Sequence, residues 1–92
     1  MGHDYCVYML KCKDGSFYTG ITNDLKRRLS AHESGKGAKY TRGRGPFALV
    51  YVKSFPTKSE ALKEELRIKA MKRSEKQELI ERENGDAATT KL

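Results

Sequence analysis

The sequence has few cysteines, and their positions exclude a disulfide and a zinc finger. Cys6 and Cys12 are the only two in 92 residues. Six residues of one predicted strand separate their Cα atoms by roughly 20 Å, which no disulfide can span. Neither belongs to a Cys-x-x-Cys pair, and the two histidines, His3 and His32, lack zinc-finger spacing. Because reduced cysteines are typical of the cytoplasm, we expect a cytoplasmic protein.

The sequence also lacks segments that would direct it to a membrane or divide it into parts. No apolar run approaches the length of a transmembrane helix, and the N-terminus has no signal-peptide core. Internal repeats and an interdomain linker are both missing. With 92 residues, the chain is expected to form one domain over residues 1–85, followed by a disordered polar tail over residues 86–92.

Positive charge is in excess. The chain has 19 Lys and Arg against 12 Asp and Glu, a net charge of +7, and its pI is about 9.5. This balance favours a nucleic-acid partner. A generally basic surface without a polyanionic partner would have the same composition, so charge by itself leaves both possibilities open.

The hydrophobic patterns predict an α+β domain. Aromatic and β-branched runs predict three strands, at residues 5–10, 17–21 and 47–52. Amphipathic segments predict three helices, at residues 24–33, 58–72 and 74–84. The resulting order is β-β-α-β-α-α, a small, mainly antiparallel three-stranded sheet with flanking helices.

Capping residues mark the expected helix starts. Thr22 or Asn23 is expected to cap the first helix. The pattern Thr57-x-x-Glu60 is a capping box for the second helix, and Ser74-x-x-Gln77 is another for the third. Each cap supplies side-chain acceptors for N–H groups that the first helical turn leaves unpaired.

The first helix brings a charged residue to the edge of its apolar stripe. At about 100° per residue, Leu25, Leu29 and His32 share one stripe, and Arg28 lies at its margin. Arg27 points to the solvent side. We therefore expect Arg28 to face the core or a cleft beside His32, unless its aliphatic stem only covers the edge of the core.

The second helix has a glutamate within its apolar face. Four residues form that face on the helical wheel: Ala61, Leu62, Leu66 and Ile68. Glu65 falls in the middle of this arc and Glu64 at its edge. A carboxylate on a buried face is costly unless it is paired or binds a metal. Glu65 therefore indicates either a metal site or a buried ion pair, with Arg28 or Lys69 as the partner.

The segments Cys6-Val7-Tyr8 and Tyr18-Thr19-Gly20 resemble the paired signature of the GIY-YIG nuclease superfamily. The separation of the two tyrosines is typical of that family. Arg28, His32 and Glu65 follow in the family's order. The family fold, a β-β-α-β-α core, is similar to the order predicted above. The two charged residues found on the helical wheels are also those that the resemblance selects.

The resemblance covers residues 5–72, most of the chain. With the segments at 37–42 and 69–76, the chain is most similar to the small stand-alone bacterial members of the family. Two positions depart from the family pattern, Cys6 at the first glycine and Thr19 in the middle of the second motif, and neither carries the reaction. Asn84 falls at a predicted helix end, so the late asparagine that members often have near the site is left unassigned.

The resemblance implies a metal-dependent endonuclease, a hydrolase of phosphodiester bonds. One divalent ion, Mg²⁺ or Mn²⁺, would be held by Glu65, and Arg28 would bind the phosphate. Tyr8 is the first candidate for the general base and Tyr18 for orienting the water, and the opposite assignment stays open. Because a free tyrosine has a pKa near 10, we expect Arg28 and the ion to lower it. His32 would take part in the proton path or bind phosphate.

A basic loop follows the first helix, and we expect it to bind nucleic acid through Lys36, Lys39, Tyr40, Arg42 and Arg44. DNA is the expected substrate, and no membrane partner is expected. Because the chain has no recognition helix or zinc module, we expect low sequence specificity and cleavage of branched or nicked structures. The alternative is a non-catalytic nucleic-acid-binding module on a nuclease fold.

The turn between the first two strands decides whether both tyrosines can serve one site. A two-residue loop at Asp14-Gly15 would place Tyr8 and Tyr18 on opposite faces of the sheet. A three-residue loop at 14–16, which sets Cys12 opposite Tyr18, or a bulge places them on one face. We expect an odd loop or a bulge. One open cleft is then expected to receive Tyr8, Tyr18, Arg28 and Glu65.

Overall fold

The structure is a computed structural model that describes residues 4–35, 45–84 and 90–91. Its elements are β1 (Tyr5–Lys11), β2 (Phe17–Thr22), α1 (Leu25–Glu33), β3 (Ala48–Phe55), α2 (Lys58–Lys69), α3 (Arg73–Asn84) and β4 (Thr90–Lys91). The α+β class and the predicted order β-β-α-β-α-α are confirmed. Within these ranges, no helix is both long and apolar enough to cross a membrane.

A short fourth strand adds to the three that were predicted. Thr90 and Lys91 form β4, which pairs antiparallel with Leu49 and Ala48 of β3. For these two residues the expected disorder of the tail is wrong, because the exposed edge of β3 offers them hydrogen-bonding groups. Residues 86–89 and 92 lie outside the described part of the chain, and there the disordered tail stays a prediction.

The strands form one antiparallel sheet in the order β2-β1-β3-β4. β1 is central and buried along most of its length, as its continuous apolar run predicts. β2 pairs with β1 alone among the described strands, so its outer side is an open edge of the sheet. Cys6 and Cys12 are both buried in the sheet.

Helices cover both faces of the sheet. On one face, Val7 and Met9 pack against α2 and α3, and we call this the α2 face. On the other, Tyr8 and Leu10 pack against α1, and we call this the α1 face. Alternation of side chains along β1 thus separates two apolar clusters, and the sheet lies between α1 and the other two helices.

The hairpin between β1 and β2 closes through a three-residue loop. The Cys12 N–H donates to the Ser16 carbonyl at 2.8 Å, and the Gly15 N–H donates to the Cys12 carbonyl at 2.9 Å. Gly15 has φ +86°, which glycine adopts without steric cost. The loop residues are therefore Lys13, Asp14 and Gly15, one position earlier than the loop expected at 14–16.

This loop places both tyrosines on the α1 face. Tyr8 pairs with Gly20 and Leu10 with Tyr18, so residues 18 and 20 share a face with residue 8. The predicted odd loop and common face are confirmed. The expected pairing of Tyr18 with Cys12 is wrong, because the turn lies one residue closer to β1.

The first helix starts one residue later than predicted. Asp24 is the N-cap of α1, and its carboxylate accepts from the Arg27 N–H at 3.2 Å. The Thr22 hydroxyl accepts instead from the Asp24 N–H at 3.0 Å and shapes the approach to the helix. The prediction of Thr22 or Asn23 as the cap is therefore wrong, because a carboxylate was available one position further on.

The capping box of α2 is confirmed. The Thr57 hydroxyl accepts from the Glu60 N–H at 3.2 Å and lies 3.2 Å from the Glu60 carboxylate. The box expected at Ser74 is wrong, since α3 begins at residue 73. There the Glu75 carboxylate accepts from the Lys72 N–H at 2.7 Å. An acidic side chain thus accepts a hydrogen bond from a backbone N–H group at the start of α3.

Candidate active site

A buried hydrogen bond joins Tyr8 and His32 on the α1 face. The Tyr8 hydroxyl lies 2.7 Å from Nε2 of His32, and the two side chains are 0% and 1% exposed. Burial, and next the positive Arg28, lower the pKa of His32. Burial raises the pKa of Tyr8 to about 12. Near neutral pH both groups are therefore uncharged, and the imidazole has the capacity to accept a proton.

Arg28 reaches the same tyrosines from α1. Hydrogen bonding with Tyr8 raises the pKa of Arg28, and Tyr18 acts in the same direction. The residue as a whole is exposed, so its guanidinium is open to a ligand. The helical wheel predicted that Arg28 turns toward a cleft beside His32, and this is confirmed. The Arg28 guanidinium bonds to the hydroxyls of Tyr8 and Tyr18. Arg28 therefore does more than cover the edge of the core with its aliphatic stem.

Burial decides the proton affinity of Tyr8. The Arg28 hydrogen bond lowers the pKa of Tyr8, as the sequence analysis expected, but desolvation of the ring is the larger effect. The expected lowering by Arg28 is present but is outweighed by burial, and the lowering expected from a bound ion stays a prediction. A tyrosinate at residue 8 is scarce near neutral pH.

Tyr18 completes a cluster of three rings. Its centroid lies 6.3 Å from that of Tyr8 and 5.2 Å from that of His32. Tyr18 is only half-buried, so it lies nearer to solvent than Tyr8. Four of the predicted site residues, Tyr8, Tyr18, Arg28 and His32, are thus brought together.

Gly20 gives the Tyr8 ring its place. A Cβ at residue 20 would lie 2.8 Å from the Tyr8 hydroxyl oxygen, 2.9 Å from Tyr8 Cζ and 3.1 Å from Tyr18 Cε2. Because glycine has no side chain, the Tyr8 ring crosses over β2 and brings its hydroxyl toward the open edge. The space beside Gly20 is thus filled by the tyrosine itself.

The buried face of α2 differs from the one predicted. Ala61 and Ile68 are fully buried, whereas Leu62 and Leu66 are 38% and 65% exposed. The helical wheel placed all four in one apolar arc. Of these four, only Ala61 and Ile68 belong to the buried cluster on the sheet, because a small residue lets the helix approach bulky side chains such as Tyr51.

The two glutamates of α2 flank this buried face almost equally. The side chains of Glu64 and Glu65 are 12% and 13% exposed. The prediction of Glu65 at the centre and Glu64 at the edge is therefore wrong. The buried arc is centred between them, since the true contact residues lie three or four positions from both.

The partners of the two glutamates show which way each one points. Glu64 accepts from the Tyr51 hydroxyl of β3 at 3.1 Å and forms two bonds with Arg67, at 2.8 and 2.6 Å. Arg67 holds the pKa of Glu64 below its usual range. Glu65 lies on the other flank of α2 and pairs with Lys69 at 3.1 Å. Of the two expected ion-pair partners, Lys69 is the one recorded.

Glu65 therefore faces the side of α2 nearer to β2. Lys69, one turn further along the same flank, lines a pocket with Phe17, Tyr18 and Thr19 of β2. The sheet lies between Glu65 and the ring cluster on the α1 face. The two can meet a common substrate only around the open edge of β2. A single cleft that includes Glu65 stays a prediction.

Five predicted nucleic-acid-binding residues lie outside the described part of the chain, and no cluster of three metal-binding side chains is found within it. Lys36, Lys39, Tyr40, Arg42 and Arg44 lie outside the described residues, and their contact with nucleic acid stays a prediction. Within residues 4–35, 45–84 and 90–91, no group of three or more His, Cys, Asp or Glu side chains could hold a metal ion. Glu65 is thus the single protein ligand proposed for an ion.

Comparison with known proteins identifies the family of this chain. The GIY-YIG catalytic domain family matches this chain over residues 4–79. A UPF0213 protein of Oceanobacillus iheyensis is 60% identical over 81 residues, which are 88% of this chain and 94% of that protein. A UPF0213 protein of Halalkalibacterium halodurans is 52% identical over 90 residues, which are 97% of this chain and 96% of that protein.

A solved structure is similar as well. The solution NMR structure of a UPF0213 protein from Bacillus halodurans aligns with a TM-score of 0.61 at 52% identity, over 90% of this chain and 88% of that one. The family match spans both tyrosine motifs, α1 and α2, and so includes every residue of the ring cluster. The chain therefore belongs to the GIY-YIG nuclease family, and its relatives are the small single-domain UPF0213 proteins.

Proposed function

We propose that this protein is a metal-dependent endonuclease that hydrolyses phosphodiester bonds, with DNA as its substrate. The observation that carries the proposal is the cluster of Tyr8, His32, Tyr18 and Arg28. It combines a cation that is open to solvent with a tyrosine whose hydroxyl is hydrogen-bonded to an uncharged imidazole. Membership of a nuclease family supports the same chemistry.

Arg28 binds the scissile phosphate in this proposal. Its planar guanidinium presents paired N–H donors that match two phosphate oxygens. Bonding to Tyr8 raises the pKa of Arg28, so its charge is retained at every working pH. As negative charge develops on the phosphate in the transition state, the fixed cation stabilises it.

Tyr8 and His32 accept the proton of the attacking water together. The water proton moves to the Tyr8 oxygen as the Tyr8 proton moves to Nε2 of His32, so the tyrosine never has to ionise beforehand. This relay suits a tyrosine with a pKa of about 12, which is a poor base by itself near neutral pH. The lowered pKa of His32 keeps its imidazole uncharged and ready to accept.

Tyr18 orients the water in this mechanism. Its ring is half-buried beside the Tyr8 ring, and Arg28 bonds to both. A phosphate held by Arg28 would therefore bring the water to the outer tyrosine first. From there the water would contact the inner Tyr8 hydroxyl, which bonds to His32 and takes the water's proton.

Glu65 offers a divalent ion one carboxylate as its only proposed protein ligand. One carboxylate suits Mg²⁺ or Mn²⁺ that keeps most of its waters and binds the substrate's phosphate, and it does not suit an all-protein cage. When bound, such an ion would polarise the phosphate and stabilise the leaving oxygen. Lys69 now pairs with Glu65 at 3.1 Å, so an ion would have to displace its ammonium group.

The open edge of β2 is the proposed path of the substrate strand. It gives access to Arg28 on the α1 face and to Glu65 on the α2 face. Contacts of this kind reach the phosphate backbone and do not distinguish bases. We therefore propose low sequence specificity and cleavage of branched or nicked duplexes, in a cytoplasmic setting.

The decisive test is cleavage of duplex, single-stranded and branched DNA and of RNA, with and without Mg²⁺. We expect metal-dependent cleavage that Tyr8→Phe, Arg28→Gln and Glu65→Gln each reduce by at least about 10²-fold. Glu64→Gln is the matched control, because Glu64 is equally buried on the same helix but faces β3. Equal loss of activity in the Glu64 and Glu65 variants would contradict the assignment of the metal site.

A non-catalytic nucleic-acid-binding module is the second candidate. It is favoured by the full burial of Tyr8 and by the fact that no three His, Cys, Asp or Glu side chains of the described residues come together to hold an ion. In that case the wild-type protein would bind DNA without cleaving it under any of these conditions.

A further inference from the structure

A basic pocket lies on the open edge of β2, apart from the ring cluster. It has a volume of about 390 Å³ and is lined by Phe17, Tyr18, Thr19, Lys69 and Lys76. The lining residues come from three elements, β2, α2 and α3. The pocket thus forms where α2 lies against β2 and the first turn of α3 comes close to the same strand.

Lys76 is the least compensated charge in this pocket. Its side chain is half-buried, and within the described part of the chain no carboxylate lies within ion-pair distance of it. Partial burial without a counter-charge is unfavourable for an ammonium group. An anion in the pocket would relieve this cost. Lys69 shares its charge with Glu65 at 3.1 Å and so offers less.

Thr19 adds an unused hydrogen-bonding group. Its hydroxyl oxygen is buried and has no hydrogen-bond partner among the described residues. Most buried polar atoms in proteins are paired, so an unpaired one that borders a pocket points to a missing partner. The outward-facing N–H groups of edge strand β2 lie beside it. Two ammonium groups, a hydroxyl and backbone N–H groups are the donors that bind phosphate in proteins.

We propose that this pocket binds a backbone phosphate of the nucleic-acid strand, different from the phosphate that Arg28 holds. The proposal rests on the proposed function, and it makes Lys76 a binding residue without a part in the chemistry. Tyr18 borders both sites, since its ring joins the cluster on the α1 face and its residue lines the pocket. A nucleic-acid strand that wraps around the β2 edge of the sheet would therefore place one phosphate on the α1 face and a neighbouring phosphate on the α2 face.

The test is the salt dependence of DNA binding, measured by fluorescence anisotropy with EDTA present so that no cleavage occurs. One lost phosphate contact lowers the slope of log affinity against log salt by about one. For Lys76→Gln, the loss of affinity between 50 and 200 mM salt should be about threefold smaller than for the wild type. Lys69→Gln should have a smaller effect, because Glu65 already offsets part of its charge.

Two further variants make the result specific. Lys63→Gln removes the same charge from the opposite side of α2, where the residue is exposed, and it should leave the slope unchanged. Lys76→Arg keeps the charge and should retain the wild-type slope, which separates loss of charge from damage to the fold. Thermal unfolding of each variant checks that the domain is intact.

The outcomes of this test and of the cleavage test are independent. If the slopes for Lys76→Gln and Lys63→Gln are the same, or if wild-type protein does not bind DNA, the pocket proposal is overturned even for an active nuclease. If Lys76→Gln changes the slope but no substrate is cleaved, the pocket stands and the nuclease proposal fails. If both stand, Lys76→Gln should raise KM and leave kcat unchanged, as expected for contacts equal in the ground and transition states.

Discussion

Replacing Gly20 with alanine should disturb the fold and the site together. The new Cβ would lie 2.8 Å from the Tyr8 hydroxyl oxygen and 2.9 Å from Tyr8 Cζ, whereas ordinary contact begins at 3.4 Å. The hydroxyl must then move by about 0.6 Å in a fully buried environment. Overpacking of this kind costs about 1–3 kcal/mol of unfolding free energy.

The same displacement should lower catalysis beyond its effect on stability. The moving hydroxyl carries the 2.7 Å hydrogen bond to His32, and misplacement of catalytic groups by about 1 Å can cost about 10²-fold in rate. Tyr8→Phe in the Gly20→Ala background removes the atom in closest contact. We therefore expect the double variant to lose less stability than the sum of the two single variants, by at least about 0.5 kcal/mol.

Urea unfolding of the four proteins of this cycle measures the coupling, and Gly45→Ala is the control. A methyl group at residue 45 meets its nearest neighbour, Phe47 Cε2, at an ordinary 3.5 Å, so its effect should be small. Additive losses in the cycle, or a Gly20→Ala protein as stable as the wild type, would refute the close packing of Tyr8 over β2.

Three further measurements address the ionisable groups. Because the pKa of His32 is lowered in the folded protein, the unfolded chain binds more protons below about pH 6.5, and stability should fall as pH drops below that value. His32→Gln should reduce this pH dependence in urea unfolding at pH 5 and 7.5. Cleavage should persist below pH 6.5 before it declines, since the relay needs an uncharged imidazole. Arg67→Met should cost roughly 1 kcal/mol, discounted because Arg67 is 54% exposed. That loss should vanish in acid as Glu64, whose pKa is lowered, becomes protonated. A loss that shows no decrease as the pH is lowered through the acid range would assign the effect to packing.

The hairpin shows how far local sequence reasoning reaches. The Asp14-Gly15 pair by itself favours a two-residue loop, yet the loop has three residues and places both tyrosines on one face. The odd loop was predicted because a common site for Tyr8 and Tyr18 required it. Its position was missed by one residue, since the pairing depends on the Cys12–Ser16 contact and not on the dipeptide alone.

The α2 helix shows where such reasoning fails. Periodicity identified an apolar helix with two acidic residues, but it weighted leucine above alanine. Contact with the sheet reversed that order, and Leu66 became exposed. Lys76 was not predicted at all, because no spacing in the sequence indicates that α3 would bring it to a pocket beside β2.

The sequence by itself determined the order of the elements, the excess of positive charge, the alternation of faces along the strands and the rotation of Arg28 toward a cleft. All of these depend on residues that are close in the chain. Tertiary structure alone decided that the Tyr8 hydroxyl meets His32, 24 residues away, and that Glu64 faces β3 while Glu65 pairs with Lys69. It also decided that burial outweighs Arg28 in setting the pKa of Tyr8. Desolvation depends on every element that covers a side chain, and so it cannot be read from any one segment.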